Sequence, residues 1–162
     1  MSRRPPVVLE LSVDVEAPVA DTWAAATDWA GQSQWMLGTT VRPTAQDGQG
    51  VGGGIEAFSG LEAGRLRLGV LDPMVVEQWQ PPVLCHVRHT GRVVRGTGTF
   101  RVEAREGDRS RFVWREDLDL PLGVLGRLGW EVVRPFFAFG VQLSLRRFAR
   151  WTEAGRPVHR AA

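Results

Sequence analysis

Lysine and tyrosine are missing from this sequence altogether, and cysteine occurs only once. All twenty basic side chains are therefore arginine, set against eighteen acidic ones, for a formal net charge of +2. Arginine stays protonated beyond about pH 12, so this small surplus is enough to carry the sequence pI to about 9.8. Long-range attraction to a polyanion follows net charge rather than pI, and +2 is weak. The arginines are also dispersed, with Arg146, Arg147 and Arg150 as the one cluster, so no nucleic-acid partner is expected. A lone Cys85 leaves no intramolecular disulfide and no four-cysteine zinc site. The opening Met-Ser-Arg-Arg-Pro-Pro is not followed by an apolar stretch of signal-peptide length. The most apolar region, residues 118–145, is broken by Arg127, Glu131 and Arg134, which excludes a membrane span there. The resulting expectation is a cytoplasmic protein.

A chain of 162 residues with 43% hydrophobic and 23% charged residues has ordinary globular composition. At that length it buries about two thirds of its unfolded surface, so neither metal nor disulfide is needed to hold it together. The expected organisation is a single domain over residues 7–153, between a flexible N-terminus at 1–6 and a flexible tail at 154–162. Residues 7–15 alternate, with Val7, Leu9, Leu11, Val13 and Val15 on one side and Glu10, Ser12 and Asp14 on the other, which describes a half-buried strand. Ala17-Pro18 opens a helix whose Val19, Trp23 and Ala26 share a face, and residues 29–35 form a second short piece made irregular by Gly31.

Strands and turns fill residues 41–120. The glycines at 48, 50 and 52–54 mark a hairpin and a strand that bends or packs closely. Residues 66–79 read as one bent strand or two short ones, because Pro73 cannot donate to a central ladder; a bulge or a sheet edge is expected there. Strands at 83–90, 96–106 and 109–120 follow, the last two joined by a tight turn at Gly107-Asp108. A long helix closes the chain. Leu122, Leu125 and Leu128 begin it, weakened by Gly123, Gly126 and Gly129, and Pro135 is expected to kink it. Phe137, Val141, Ser144, Phe148 and Trp151 then continue it at helical spacing. The fold class is α+β: a curved antiparallel sheet of about seven strands around a long C-terminal helix, with two short helices after the first strand.

Four segments carry a resemblance: Ala17-Pro-Val-Ala-Asp-Thr-Trp23, Asp28-Trp29 followed by Trp35, GVLDPMVVEQWQPP at 69–82, and SRFVWREDLDLP at 110–121. In this order and spacing the chain resembles the START-like SRPBCC superfamily, in its polyketide cyclase/dehydrase and lipid-transport branch. The resemblance implies a helix-grip fold and a cavity for an apolar ligand. It does not single out an activity, since carriers, sensors, cyclases and chaperone partners share the scaffold.

Candidate functional residues follow from parity. In the last strand Phe112, Trp114, Glu116, Leu118 and Leu120 share the face that looks at the helix, which sets a carboxylate beside two large aromatics. Glu116 there could orient a ligand hydroxyl or act as acid or base; the plainer alternative is an end-of-strand group bonded to a helix or loop. His86 and His89 have opposite parity, so one of them at most faces the interior, and periodicity does not choose between them. An inward histidine could polarise a carbonyl or an enolate, although a lone strand histidine is more often structural. Without a third ligand at metal spacing no metal site is expected, and no cofactor is called for.

Phe58, Phe100, Phe112, Trp114, Trp130 and Phe137 are candidates for a cavity lining, Trp35 and Met36 for its mouth, and Met74 and Val141 complete the candidate ligand-binding set. The alternative is that these side chains fill a solid core. An empty apolar void of ~300 Å³ would cost several kcal/mol, so a cavity of that size must hold ligand or water. The glycine runs at 52–54 and 96–98 lack the Lys-Ser/Thr of a phosphate loop and are read as sheet curvature. Arg127, Arg134 and Arg147 could pair with an acidic head group at the cavity mouth; the plainer alternative is a solvated helix face. The leading expectation is a carrier or sensor of a lipid- or polyketide-like molecule, as monomer or homodimer. An aromatase/cyclase acting on a poly-ketone through Glu116 with His86 or His89 is the first alternative. A protein-interaction or toxin-like regulatory module is the second.

Overall fold

A computed structural model describes residues 6–63, 66–120 and 123–156, so most of the two ends expected to be flexible lies outside the described residues. The alternating segment forms β1 (Val7–Val15), and α1 (Val19–Ala26) follows with Trp23, Ala25 and Ala26 buried. Pro18 sits at the N-cap in extended conformation rather than within the first turn. The second helical piece is a 3-10 helix, Ala30–Gln34. Asp28 starts it by accepting from the Gly31 N–H at 3.0 Å. A side chain at Gly31 would fall 2.6 Å from that carboxylate and 2.8 Å from Trp151, so only glycine fits.

The remaining strands are β2 (Thr39–Ala45), β3 (Gly54–Ala63), β4 (Leu66–Gln80), β5 (Leu84–His89), β6 (Gly96–Arg105) and β7 (Arg109–Leu118). Each pairs antiparallel with the next, and β1 returns to pair with β7, giving the order β1-β7-β6-β5-β4-β3-β2. The turn between β6 and β7 runs through Gly107 and Asp108, both at positive φ.

The expected bulge or edge at Pro73 is absent. β4 is one fifteen-residue inner strand, and its register shift lies between Val76 and Gln78. Proline is tolerated because β5 ends at His89, opposite Met74, so the ladder has no bond for the missing N–H to make. The Pro73 carbonyl still accepts from the Thr90 N–H at 2.8 Å.

Helix α2 (Gly123–Glu153) runs unbroken through Pro135. Its C-terminal half packs on the concave face of the sheet, where Leu145 and Phe148 are fully buried with Trp35 and Phe112. The Phe148 ring lies 4.5 Å from Phe112 and 5.0 Å from Trp35. Gln142 donates to the Ser12 carbonyl, Arg147 donates to the Gln34 carbonyl, and Ser144 accepts from the Leu37 N–H. Thr22 donates to Ser110, which donates to the Ala17 carbonyl, joining α1 to β7 in the core. No helix among the described residues is long and apolar enough to cross a membrane.

Candidate functional site

The core does not continue under the N-terminal half of α2. A cavity of about 560 Å³ lies there, between the helix and the concave face of the sheet. Strand parity decides which side chains enter it: Val70, Asp72 and Met74 from β4, Cys85, Val87 and His89 from β5, and Trp114, Glu116 and Leu118 from β7. Trp130, Phe137 and Val141 of α2 form the roof. Burial pushes the Cys85 thiol up to about 12, so it is a neutral part of the wall.

One cluster interrupts this apolar surface. The Nδ1 of His89 lies 2.8 Å from Asp72 Oδ2 and 3.0 Å from Asp72 Oδ1, and its Nε2 lies 3.0 Å from Glu116 Oε2. Trp114 Nε1 donates to Glu116 Oε1 at 2.6 Å. The side chains of His89, Asp72 and Glu116 are only 4%, 16% and 13% exposed. Burial opposes a charge on His89, but the bonds to Asp72 and Glu116 outweigh it and raise its pKa from 6.5 to about 9. With both ring nitrogens facing carboxylates, His89 is an imidazolium donating on each side.

Glycine makes this contact possible. His89 on β5 and Glu116 on β7 are separated by β6, which presents Gly96 opposite His89 and Gly98 opposite Glu116. A Cβ at Gly98 would stand 3.2 Å from Glu116 Oε1 and 3.3 Å from Val87 Cγ2. A side chain at Gly98 would press on the carboxylate that the imidazole meets, and one at Gly96 would strike the β7 backbone at the Asp117 carbonyl. Asp72 completes the cluster from β4, where it shares the parity of Met74 two residues on.

Of the candidate residues, Met36, Met74, Phe100, Trp114, Glu116, Trp130, Phe137 and Val141 line the cavity. Three candidates lie elsewhere. Trp35, expected at the mouth, is fully buried in the aromatic core, as is Phe112; Phe148 of α2 packs against both and closes that end of the sheet. Phe58 has the opposite parity to the lining residues Ala57 and Ser59, and lies against Gly69 on the other side of the sheet. Of the two histidines, His89 enters the cavity, while His86 turns away and bonds Thr99 Oγ1 at 2.8 Å.

Sequence reasoning missed Asp72 because the following proline pointed to a bulge or a sheet edge there, across which parity need not hold. Its parity with Met74 was the available signal. Trp29 and Gln32 also line the cavity, and both were hidden in the short helical piece, where strand parity offers no guide. Among the described residues no group of His, Cys, Asp and Glu is arranged to hold a metal ion. Asp72 and Glu116 bond different nitrogens of one imidazole, so the three side chains do not converge on a common point.

A seven-stranded sheet gripping a terminal helix, with an apolar hollow between them, defines a helix-grip domain of the SRPBCC type. The chain belongs to the polyketide cyclase/dehydrase and lipid transport family, whose sequence profile matches residues 6–153. Its fold is similar to the crystal structure of TTHA0849 from Thermus thermophilus, with a TM-score of 0.72 and 16% identity over 93% of this chain and 100% of that one. Protein Ms6760 from Mycobacterium smegmatis superposes with a TM-score of 0.65 at 13% identity, covering 93% of each chain. The solution structure of the Aha1 dimer from Colwellia psychrerythraea gives 0.64 at 15% identity, over 93% of this chain and 99% of that one. These identities establish likeness of fold alone. No curated protein sequence matches the chain.

Proposed function

We propose that the protein binds a small, largely apolar molecule in the cavity beneath the N-terminal half of α2 and serves as its carrier or sensor. The observation that carries this reading is the hollow itself, about 560 Å³ lined mainly by aliphatic and aromatic side chains. Left dry, a void of that size would cost on the order of 10 kcal/mol, comparable with the ~5–15 kcal/mol by which whole domains are stable. The space therefore holds ligand or water, and an apolar ligand gains burial that water does not. Membership of a family that includes lipid transport points the same way.

The cyclase alternative draws on Asp72, His89 and Glu116, three ionisable groups brought together at one wall. Against it, both nitrogens of His89 are bonded to carboxylates, so neither is free to polarise a ketone or take a proton from carbon. A binding role uses the cluster as it stands. The interaction-module alternative draws on Leu128, Val132, Phe136 and Phe139, which expose apolar surface on α2. Phe136 also borders the cavity, which ties that surface to ligand entry.

Native mass spectrometry of freshly purified protein tests the binding role. The expected result is protein carrying an extractable apolar molecule, or saturable stoichiometric binding of the neutral dye Nile red once that molecule is removed. Unliganded protein that also fails to bind the dye would overturn it. Extraction separates carrier from cyclase as well: a carrier returns its ligand chemically unchanged, whereas a cyclase turns over a poly-ketone chain.

A further inference from the structure

We propose that the polar end of the bound molecule is a hydrogen-bond donor, an alcohol, phenol or protonated amine, seated against Asp72 and Glu116. By the same geometry, amphiphiles ending in a carboxylate are disfavoured. The inference rests on the binding role proposed above and specifies the chemistry of its ligand.

The argument is a count of donors and acceptors. Asp72 and Glu116 present four carboxylate oxygens with about two acceptor positions each. The donors directed at them are the two N–H groups of His89 and the indole N–H of Trp114. Every donor in the cluster is thus committed within it, while acceptor capacity is left over. A ligand hydroxyl or ammonium supplies what is missing; a carboxylate brings more acceptors to a place with no donor to offer.

Charge leads to the same conclusion. Two carboxylates and one imidazolium leave a formal charge of −1 in an apolar wall, and they are the charged groups among the described lining residues. A second anion buried here would meet repulsion without a compensating cation. The hydroxyls of the lining are also engaged. Ser144 donates to the Gly140 carbonyl, Thr39 donates to the Leu37 carbonyl, and the Ser59 hydroxyl is left to donate to Thr39 Oγ1 at 2.9 Å.

The test displaces Nile red from ligand-free protein at neutral pH with three amphiphiles of one chain length: 1-decanol, decylamine and decanoate. The alcohol or the amine is expected to displace the dye at a concentration at least about tenfold below decanoate, a difference of about 1.4 kcal/mol. Preference for the alcohol identifies a neutral hydrogen-bonded end; preference for the amine identifies a charge-paired one. In Glu116→Gln, and in Asp72→Asn combined with Glu116→Gln, the gap to decanoate is expected to shrink to about threefold or less. Decanoate binding as well as both decanol and decylamine in the wild-type protein would overturn the inference while leaving the binding role intact. A protein that binds neither dye nor amphiphile would overturn both. The wild-type comparison is decisive even if a variant fails to fold.

Discussion

Helix α2 is two different objects joined at about Gly140. In its C-terminal half, Val141, Leu145, Phe148, Ala149 and Trp151 are buried, and Gln142, Ser144 and Arg147 bond the sheet strand β1 and the short segment before β2. In its N-terminal half, Leu128, Val132 and Phe139 are exposed and stand outside the cavity lining, Phe136 lies exposed at the cavity's border, and Phe139 is 70% exposed. Trp130 and Phe137, whose rings lie 5.8 Å apart, cover the cavity. One half encloses a core and the other roofs a space, so the same helix supplies both the stability and the opening. A residue's value to the fold therefore depends on which half it occupies, whatever its hydrophobicity.

That contrast can be broken most forcefully at the packed end. Phe148→Ala removes a fully buried ring held between Trp35 and Phe112. It is expected to cost about 3–5 kcal/mol in urea unfolding. A loss under about 1 kcal/mol would mean that the two halves are packed alike.

The polar cluster at the hollow end sets the next effect. The His89 pKa in the folded protein, about 9, lies above its ordinary 6.5. Its contribution is therefore complete below about pH 6.5 and is lost as pH rises through about 9. The loss is expected to be on the order of 2–3 kcal/mol across that window. Chemical denaturation at a series of pH values reads it directly, and His89→Gln should flatten the slope. An NMR titration placing the His89 midpoint near or below 6.5 would contradict the arrangement.

Smaller effects belong to the roof. Phe137→Ala trims a side chain that is 39% exposed and faces the cavity, so unfolding should shift by about 1 kcal/mol or less. Nile red affinity should fall by about fivefold or more, since apolar contact with the ligand goes with the ring. On the outer face, Phe139→Ser is expected to leave stability within about 0.5 kcal/mol and the affinity for the dye unchanged. A large loss of affinity from Phe139→Ser, with none from Phe137→Ala, would reverse the assignment of inner and outer sides.

Much of this arrangement is legible from local pattern. The alternation of residues 7–15, the turn at Gly107-Asp108 and the helical spacing of Phe137, Val141, Ser144 and Phe148 each translate directly into an element. Parity in β7 likewise puts Trp114 and Glu116 on the inner face. Pattern fails where a residue's surroundings come from other strands. Leu84, His86 and Arg88 are no less plausible an inner row than Cys85, Val87 and His89, and it is pairing with β4 and β6 that settles the matter. Phe112 was expected in the lining and Trp35 at the mouth because nothing local says how far Phe148 reaches.

The chain's own order of apolar, polar and turn residues determined the strands, the helices and the inward faces of β1 and β7, because those depend on periods of two and 3.6 residues that are written along it. Only the folded structure decided that Asp72, His89 and Glu116, drawn from β4, β5 and β7, would meet across the glycines of β6. Their contact depends on strand register and on the absence of a side chain at Gly98 beside the Glu116 carboxylate, and both are relations between segments distant in sequence.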